Sequence, residues 1–299
     1  MKILVVGGAG MIGGDAALHL AAQGHDVTIA GRTPPVADTP LAQLPFERVD
    51  YVKGEYNRHA LRGFDALVFT AGNDVRHIPE GQGADYWKEA NSKGIPRFFE
   101  AAKAAGIKVA INVGSYYPQV APQLVATNPY VESRKLSDDG VTALSDENFR
   151  AMSINAPFVL GHVPGLDLPM FAAYVQYAEG KMAPMPDFAP PGGTNFISTR
   201  SLATAIEGAL KNGEGGASYL VGDQNMTFQD YFGTLFEAVG REKPPVRDEE
   251  HPLLPDSAIF WGRGGDLYYD PPADVVERLG YRRNDVVRAL QEIAANYAS

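Results

Sequence analysis

The chain opens on an apolar, β-branched run, residues 2–6, followed at once by Gly7-Gly8-Ala9-Gly10-Met11-Ile12-Gly13 and an amphipathic stretch over 11–23. An apolar run of that length predicts a buried strand, and apolar residues recurring at helical spacing predict a packed helix. The same alternation recurs downstream. Strands are predicted at 25–30, 48–53, 65–70, 108–113 and 150–155, with a proline-rich surface loop at 33–44 between the second and third. A long helix is predicted over 85–105, with Trp87, Ala90, Ile95, Phe98, Phe99 and Ala102 on its packing face and Pro96 as a kink. Another helix continues through 136–144. Further on, strands at 195–198 and 217–221 alternate with helices at 170–180, 201–211, 228–239, 272–279 and 284–297, and Thr227 reads as the N-cap of the helix it precedes. Strands alternating with helices of this length imply right-handed βαβ units. The expected class is α/β, a Rossmann-type doubly wound parallel sheet over 1–160. Residues 161–299 then supply a small C-terminal substrate lobe and further elements of the core.

Composition narrows the partners. The chain has 299 residues, a net charge of −10 and no cysteine. An acidic chain offers no basic field to a nucleic acid, and thiolate chemistry and disulfides are excluded. No apolar run reaches membrane-spanning length, and the N-terminus enters a strand without a signal-peptide pattern. The expectation is a cytoplasmic protein with a small-molecule substrate, no nucleic acid, no membrane and no metal.

The glycine turn carries the first chemistry. Glycines allow positive φ and close backbone approach, and the free N–H groups of a first helical turn suit a diphosphate. Gly7, Gly10, Met11, Ile12 and Gly13 are therefore candidate cofactor residues. At the end of the second strand stand Arg32 and Thr33, with no Asp or Glu. An arginine there suits a ribose 2′-phosphate, so NADP is favoured over NAD. Arg32 could also be an ordinary solvated loop cation.

The spacing Gly7-x-x-Gly10-x-x-Gly13 at the N-terminus resembles the short-chain dehydrogenase/reductase superfamily, in particular the extended and atypical branch that includes NAD-dependent epimerases and dehydratases. The resemblance continues in Gly114-Ser115-Tyr116-Tyr117 and, fifteen residues after Ser115, in Tyr130-Val131-Glu132-Ser133-Arg134-Lys135, which is similar to the superfamily's Ser…Tyr-x-x-x-Lys constellation. It implies Ser115 as the donor that polarises a substrate oxygen and Tyr130 as the group that exchanges the proton. It also implies a cation four residues on, to favour the phenolate. Here that position is Arg134, and lysine follows one place later, at Lys135. Arginine supplies charge but does not lose its proton, which sets this chain apart from the family pattern.

The resemblance further implies Glu55 near an adenine, Ala71 and Gly72 flat against a cofactor ribose, and Pro157 and Phe158 in a loop above the nicotinamide. Asn73, Tyr116 and Tyr117 are candidate substrate residues, and the loop 74–83 a wall of their site. Related enzymes are often dimers. The leading expectation is an NADP-dependent oxidoreductase acting on a small organic carbonyl or alcohol. A nucleotide-sugar epimerase or dehydratase, a non-catalytic dinucleotide sensor, and a Ser–Tyr–Arg lyase or dehalogenase remain as alternatives.

Overall fold

A computed structural model describes residues 1–74 and 82–298. Its frame is a seven-stranded sheet in the order β3-β2-β1-β4-β5-β6-β9. These strands are β1 (Lys2–Val6), β2 (Asp26–Gly31), β3 (Phe46–Arg48), β4 (Ala66–Phe69), β5 (Val109–Ser115), β6 (Arg150–Ala156) and β9 (Ser218–Leu220). Every pairing among them is parallel. Because both faces of a parallel sheet are covered, its strands read as continuous apolar runs. Ile3, Leu4, Val5 and Val6 of β1, and all four residues of β4, are buried.

One face is covered by α1 (Met11–Ala22) and α7 (Thr199–Asn212), the other by α3 (Ile95–Ala105) and α5 (Pro129–Thr142). All six apolar positions expected on the packing face of 85–105 are buried. Burying a side chain such as Phe98 or Phe99 contributes about 1.5–3 kcal/mol, which fixes α3 to the sheet. The segment is not one kinked helix, however. A short turn, α2 (Asp85–Trp87), leads into a π-helical stretch (Lys88–Gly94), and only then does α3 begin. Pro96 has no N–H to continue an i→i−4 ladder, and the wider turns just before it absorb that break. Pro96 then packs against α5, where a Cβ on Gly140 would come within 2.6 Å of its Cγ.

The third strand also departs from expectation. It runs Phe46–Arg48 instead of 48–53, and the chain turns back at once: Asp50 and Glu55 exchange backbone hydrogen bonds of 2.9 Å around a turn that has Gly54 at φ 75.

A smaller sheet holds the C-terminal lobe. Its centre is β8 (Gly193–Ser198), paired antiparallel with β10 (Gln224–Thr227) and parallel with β7 (Phe158–Leu160) and β11 (Asp266–Leu267). The helices α6 (Pro169–Ala178), α8 (Phe228–Ala238) and α10 (Val286–Tyr297) bury their aromatic and aliphatic faces against it. Thr227 caps α8 by accepting the Asp230 N–H. The short α4 (Tyr117–Val120) and α9 (Ala273–Leu279) complete the helices introduced here. Only Pro157 separates β6 from β7, so the chain passes from the large sheet to the small one within a single residue.

Candidate active site

The site lies at the carboxyl ends of the large sheet, where ligands bind in open α/β folds. The turn after β1 comes first. Gly7 takes φ 86, and its N–H donates to Ala30 O at 2.7 Å. A Cβ on Gly13 would overlap Gly7 O and Thr70 Oγ1, so α1 can seat this close to the sheet only with glycine there. Gly10 is the N-cap of α1 with extended backbone and no side chain over the helix end; a Cβ built on it meets nothing nearer than Gly7 O at 3.5 Å. The space in front of the first-turn N–H groups is therefore held open by glycine, a cradle that fits a dinucleotide diphosphate.

The second part is the start of α5. Pro129 supplies a preset φ, and the Asn128 side chain accepts from Tyr130 N–H at 3.0 Å and Val131 N–H at 3.2 Å. Ser133 Oγ donates back to Tyr130 O at 2.7 Å and accepts from Asn91 Nδ2 at 3.1 Å. The Tyr130 ring is boxed by Trp87, Phe260 and Tyr117 at centroid distances of 5.4, 5.6 and 6.4 Å.

One helical turn on, Arg134 is only 5% exposed, and its Nη2 donates to Val113 O at 2.8 Å. Its guanidinium covers Gly72 so closely that a Cβ there would overlap Nη1. Gly72 is thus small because it accommodates Arg134, which corrects the expectation that the opening is for a ribose alone. Arg134 Nε is buried and has no hydrogen-bond partner among the described residues.

Ser115, Tyr116, Tyr117, Tyr130, Arg134, Met11, Ile12, Gly72, Pro157 and Phe158 all line one cavity of about 400 Å³. Ser115 is buried at the end of β5, its main chain in register with Ala156. Tyr116 Oη shares a 2.9 Å hydrogen bond with Thr194 Oγ1, and burial raises the pKa of both Tyr116 and Tyr117. Both rings are buried against the floor of the cavity, and Tyr130 lines it beside them. The expected loop is a single residue: Pro157 alone links β6 to β7, and Phe158 opens β7 and packs against Phe196 at 5.7 Å.

Other candidates fall elsewhere. Lys135, 43% exposed, points off the cavity side of α5, and its Nζ binds both carboxylate oxygens of Asp139 at 2.6 Å. A step of one residue turns a helical side chain by about 100°, so only Arg134 reaches inward. Asn73 is buried, not offered to a substrate. Its Nδ2 donates to Tyr51 Oη at 2.5 Å, and its backbone N–H and C=O pair with the amide of Asn91 at 3.0 and 2.9 Å. Glu55 is an exposed residue of the turn described above, outside the cavity lining. Ala71 is half-buried beside Gly7, its C=O accepting from Tyr51 Oη at 2.9 Å. Arg32 and Thr33 are exposed past the end of β2. The expected wall over 74–83 lies largely outside the described residues; Asp74 lines the cavity.

Two contributors escaped the sequence reading. Asn91 ties the end of β4 to α5 through Asn73 and Ser133; its signal was a polar residue among apolar face positions. The strap 251–261 supplies Leu253, Leu254, Pro255, Ala258 and Phe260 to the cavity. It is anchored by His251, fully buried among Tyr177, Phe188 and Phe232 at 4.6–5.1 Å. His251 Nδ1 accepts Leu253 N–H at 3.1 Å, and burial holds its pKa down to about 4. Its signal was proline-bounded apolar residues without a period.

A glycine cradle at a helix start, facing a cavity lined by Ser115, Tyr130 and Arg134, defines a dinucleotide-fold protein. The family model for the NAD-dependent epimerase/dehydratase family matches residues 3–222. The chain belongs to that family, in the extended short-chain dehydrogenase/reductase branch. No curated protein matches the sequence. Among solved structures, the one titled gox2253 is similar, with a TM-score of 0.77 at 17% identity, covering 99% of this chain and 97% of that one. So is the UDP-N-acetylglucosamine 4-epimerase from Bacillus cereus, at TM-score 0.74, 15% identity and 100% coverage of both chains. The Bordetella bronchiseptica enzyme WbmG in complex with NAD has TM-score 0.73 and 17% identity, covering 99% of this chain and 94% of that one. Among the described residues, no helix is long and apolar enough to cross a membrane.

Proposed function

We propose that this protein catalyses dinucleotide-dependent hydride and proton transfer at a secondary alcohol or carbonyl carbon of a small substrate. This step is common to reductases and to epimerases and dehydratases of the family. The observation that carries the reading is the single cavity joining the α1 N-terminus, Ser115, Tyr130 and Arg134. When bound, a nicotinamide dinucleotide would supply the hydride acceptor or donor. Ser115 donates a hydrogen bond to the substrate oxygen. Tyr130 Oη takes the alcohol proton in oxidation and gives it back in reduction. Arg134, one helical turn on, places a positive charge on the same face of α5. Arg134 keeps its own proton at all working pH values, so it acts by charge and by holding position, and the proton on Tyr130 leaves by a route other than this side chain.

The family match supports epimerase- or dehydratase-type turnover, in which the cofactor is reoxidised within the cycle. A second reading, net NADP-dependent reduction, is favoured by Arg32 and Thr33 at the end of β2, where no carboxylate stands to meet a ribose 2′-hydroxyl. The test is titration with NAD(H) and NADP(H), then turnover by the wild type and by Tyr130→Phe. Binding of a dinucleotide with hydride transfer abolished in the variant supports the proposal, and net consumption of reduced cofactor selects the second reading. Failure to bind any dinucleotide refutes both.

A further inference from the structure

We infer that the substrate half of the cavity takes a compact, uncharged alcohol or ketone bearing an aromatic or similar apolar ring, and does not take a nucleotide diphosphate sugar. The inference rests on the function proposed above and specifies its substrate. The strap contributes Leu253, Leu254, Pro255, Ser257, Ala258 and Phe260 to the lining, and Phe158 lines it too. Apart from the Ser257 hydroxyl, these side chains offer no hydrogen bonds to sugar hydroxyls. The Phe260 and Tyr117 rings already meet Tyr130 in tilted and edge-on contacts, the arrangement in which a further ring packs well.

The charges agree. Among the described residues, the cavity lining holds one cation, Arg134, and one anion, Asp74. Arg134 is committed to Val113 O and lies over Gly72. Three arginines of the lobe are engaged as well. Arg263 pairs with Asp248 and Asp256, Arg241 with Asp187, and Arg283 with Asp223 O and Asp270. Among the described lining residues, a second diphosphate, beside the one the α1 N-terminus would hold, meets no further counter-charge, and burying unpaired charge is unfavourable. Space points the same way. About 400 Å³ is near the low end of the roughly 300–1,000 Å³ of small-molecule sites, and the nicotinamide ring must share it.

The protein carries its own reporter, because both of its tryptophans are near the cavity: Trp87 touches Tyr130 and Trp261 touches Tyr117. The full chain, saturated with the oxidised dinucleotide that it binds, is titrated with α-methylbenzyl alcohol and separately with UDP-glucose. Tryptophan emission and cofactor reduction are both followed. The expected result is a saturable emission change with α-methylbenzyl alcohol and none with UDP-glucose at millimolar concentration. Phe260→Ala should weaken the alcohol roughly two- to ten-fold while dinucleotide affinity stays at the wild-type value. Saturable binding of UDP-glucose, or no binding of α-methylbenzyl alcohol, overturns the inference and leaves the dinucleotide reading intact. If no dinucleotide binds, that reading fails first and this one falls with it.

Discussion

Alanine at Gly10 and alanine at Gly13 should do different things, and the difference isolates the role of the α1 N-terminus. At Gly13 the added methyl overlaps Gly7 O and Thr70 Oγ1, backbone on one side and a strand-end hydroxyl on the other. Neither can retreat without moving β1 or β4, so overpacking should cost roughly 1–3 kcal/mol of stability. At Gly10 the methyl makes one ordinary contact, 3.5 Å from Gly7 O. Stability should fall by no more than about 1 kcal/mol, the difference by which alanine is a poorer N-cap than glycine. The same methyl stands where a diphosphate must approach the first-turn N–H groups. Loss of one charge-assisted hydrogen bond there is worth about 1.5–3 kcal/mol, or roughly ten- to 150-fold in dissociation constant. Calorimetric titration with NADPH and NADH, run beside thermal unfolding, reads both quantities. Gly10→Ala should unfold nearly like the wild type and bind dinucleotide far more weakly, whereas Gly13→Ala should lose both stability and affinity. Undiminished binding by Gly10→Ala would show that the helix start does not hold the diphosphate.

Tyr130→Phe should reduce turnover by roughly 10²–10⁴-fold with cofactor affinity unchanged, measured by initial rates and titration; a variant of near wild-type rate would remove Tyr130 from the chemistry. Lys135→Ala should leave both turnover and cofactor affinity as they are, because that side chain is bound to Asp139 outside the cavity. Arg32→Ala should weaken NADPH more than NADH, and equal losses would dissociate Arg32 from the ribose phosphate. His251 links stability to pH: its folded pKa of about 4 lies below the ordinary 6.5, so between those values the unfolded chain binds the extra proton. The stabilisation is complete above pH 6.5 and is lost as pH falls towards 4, by roughly 3 kcal/mol. Denaturant unfolding across that window should slope less in His251→Phe than in the wild type.

The large sheet could be read from the sequence because its strands are buried on both faces and appear as unbroken apolar runs between helical segments. That Tyr130 and Arg134 share one cavity could be read because a helix fixes what lies four residues apart, and the choice between Arg134 and Lys135 follows from the same geometry. What stayed hidden depends on contacts distant in sequence. Val49 and Tyr51 are buried beyond the end of β3, so the strand looked longer than its pairing with β2. The strands of the small sheet are too short to show alternation: Gln224–Thr227 contains one large apolar residue, and β11 has two residues in all. Asn73 was read as a site residue because it follows a strand end, but Asn91, eighteen positions on, turns its backbone inward.

The Ala156-Pro157-Phe158 junction constrains how the enzyme can open. One proline joins the two sheets and leaves no slack for them to slide or rock apart at the floor of the cleft. The lining also includes the proline-bounded span pegged by an imidazole at its root, which this junction does not constrain. Stiffening that span should slow entry and exit of ligand, while the bond-making geometry at the rigid floor stays as it was.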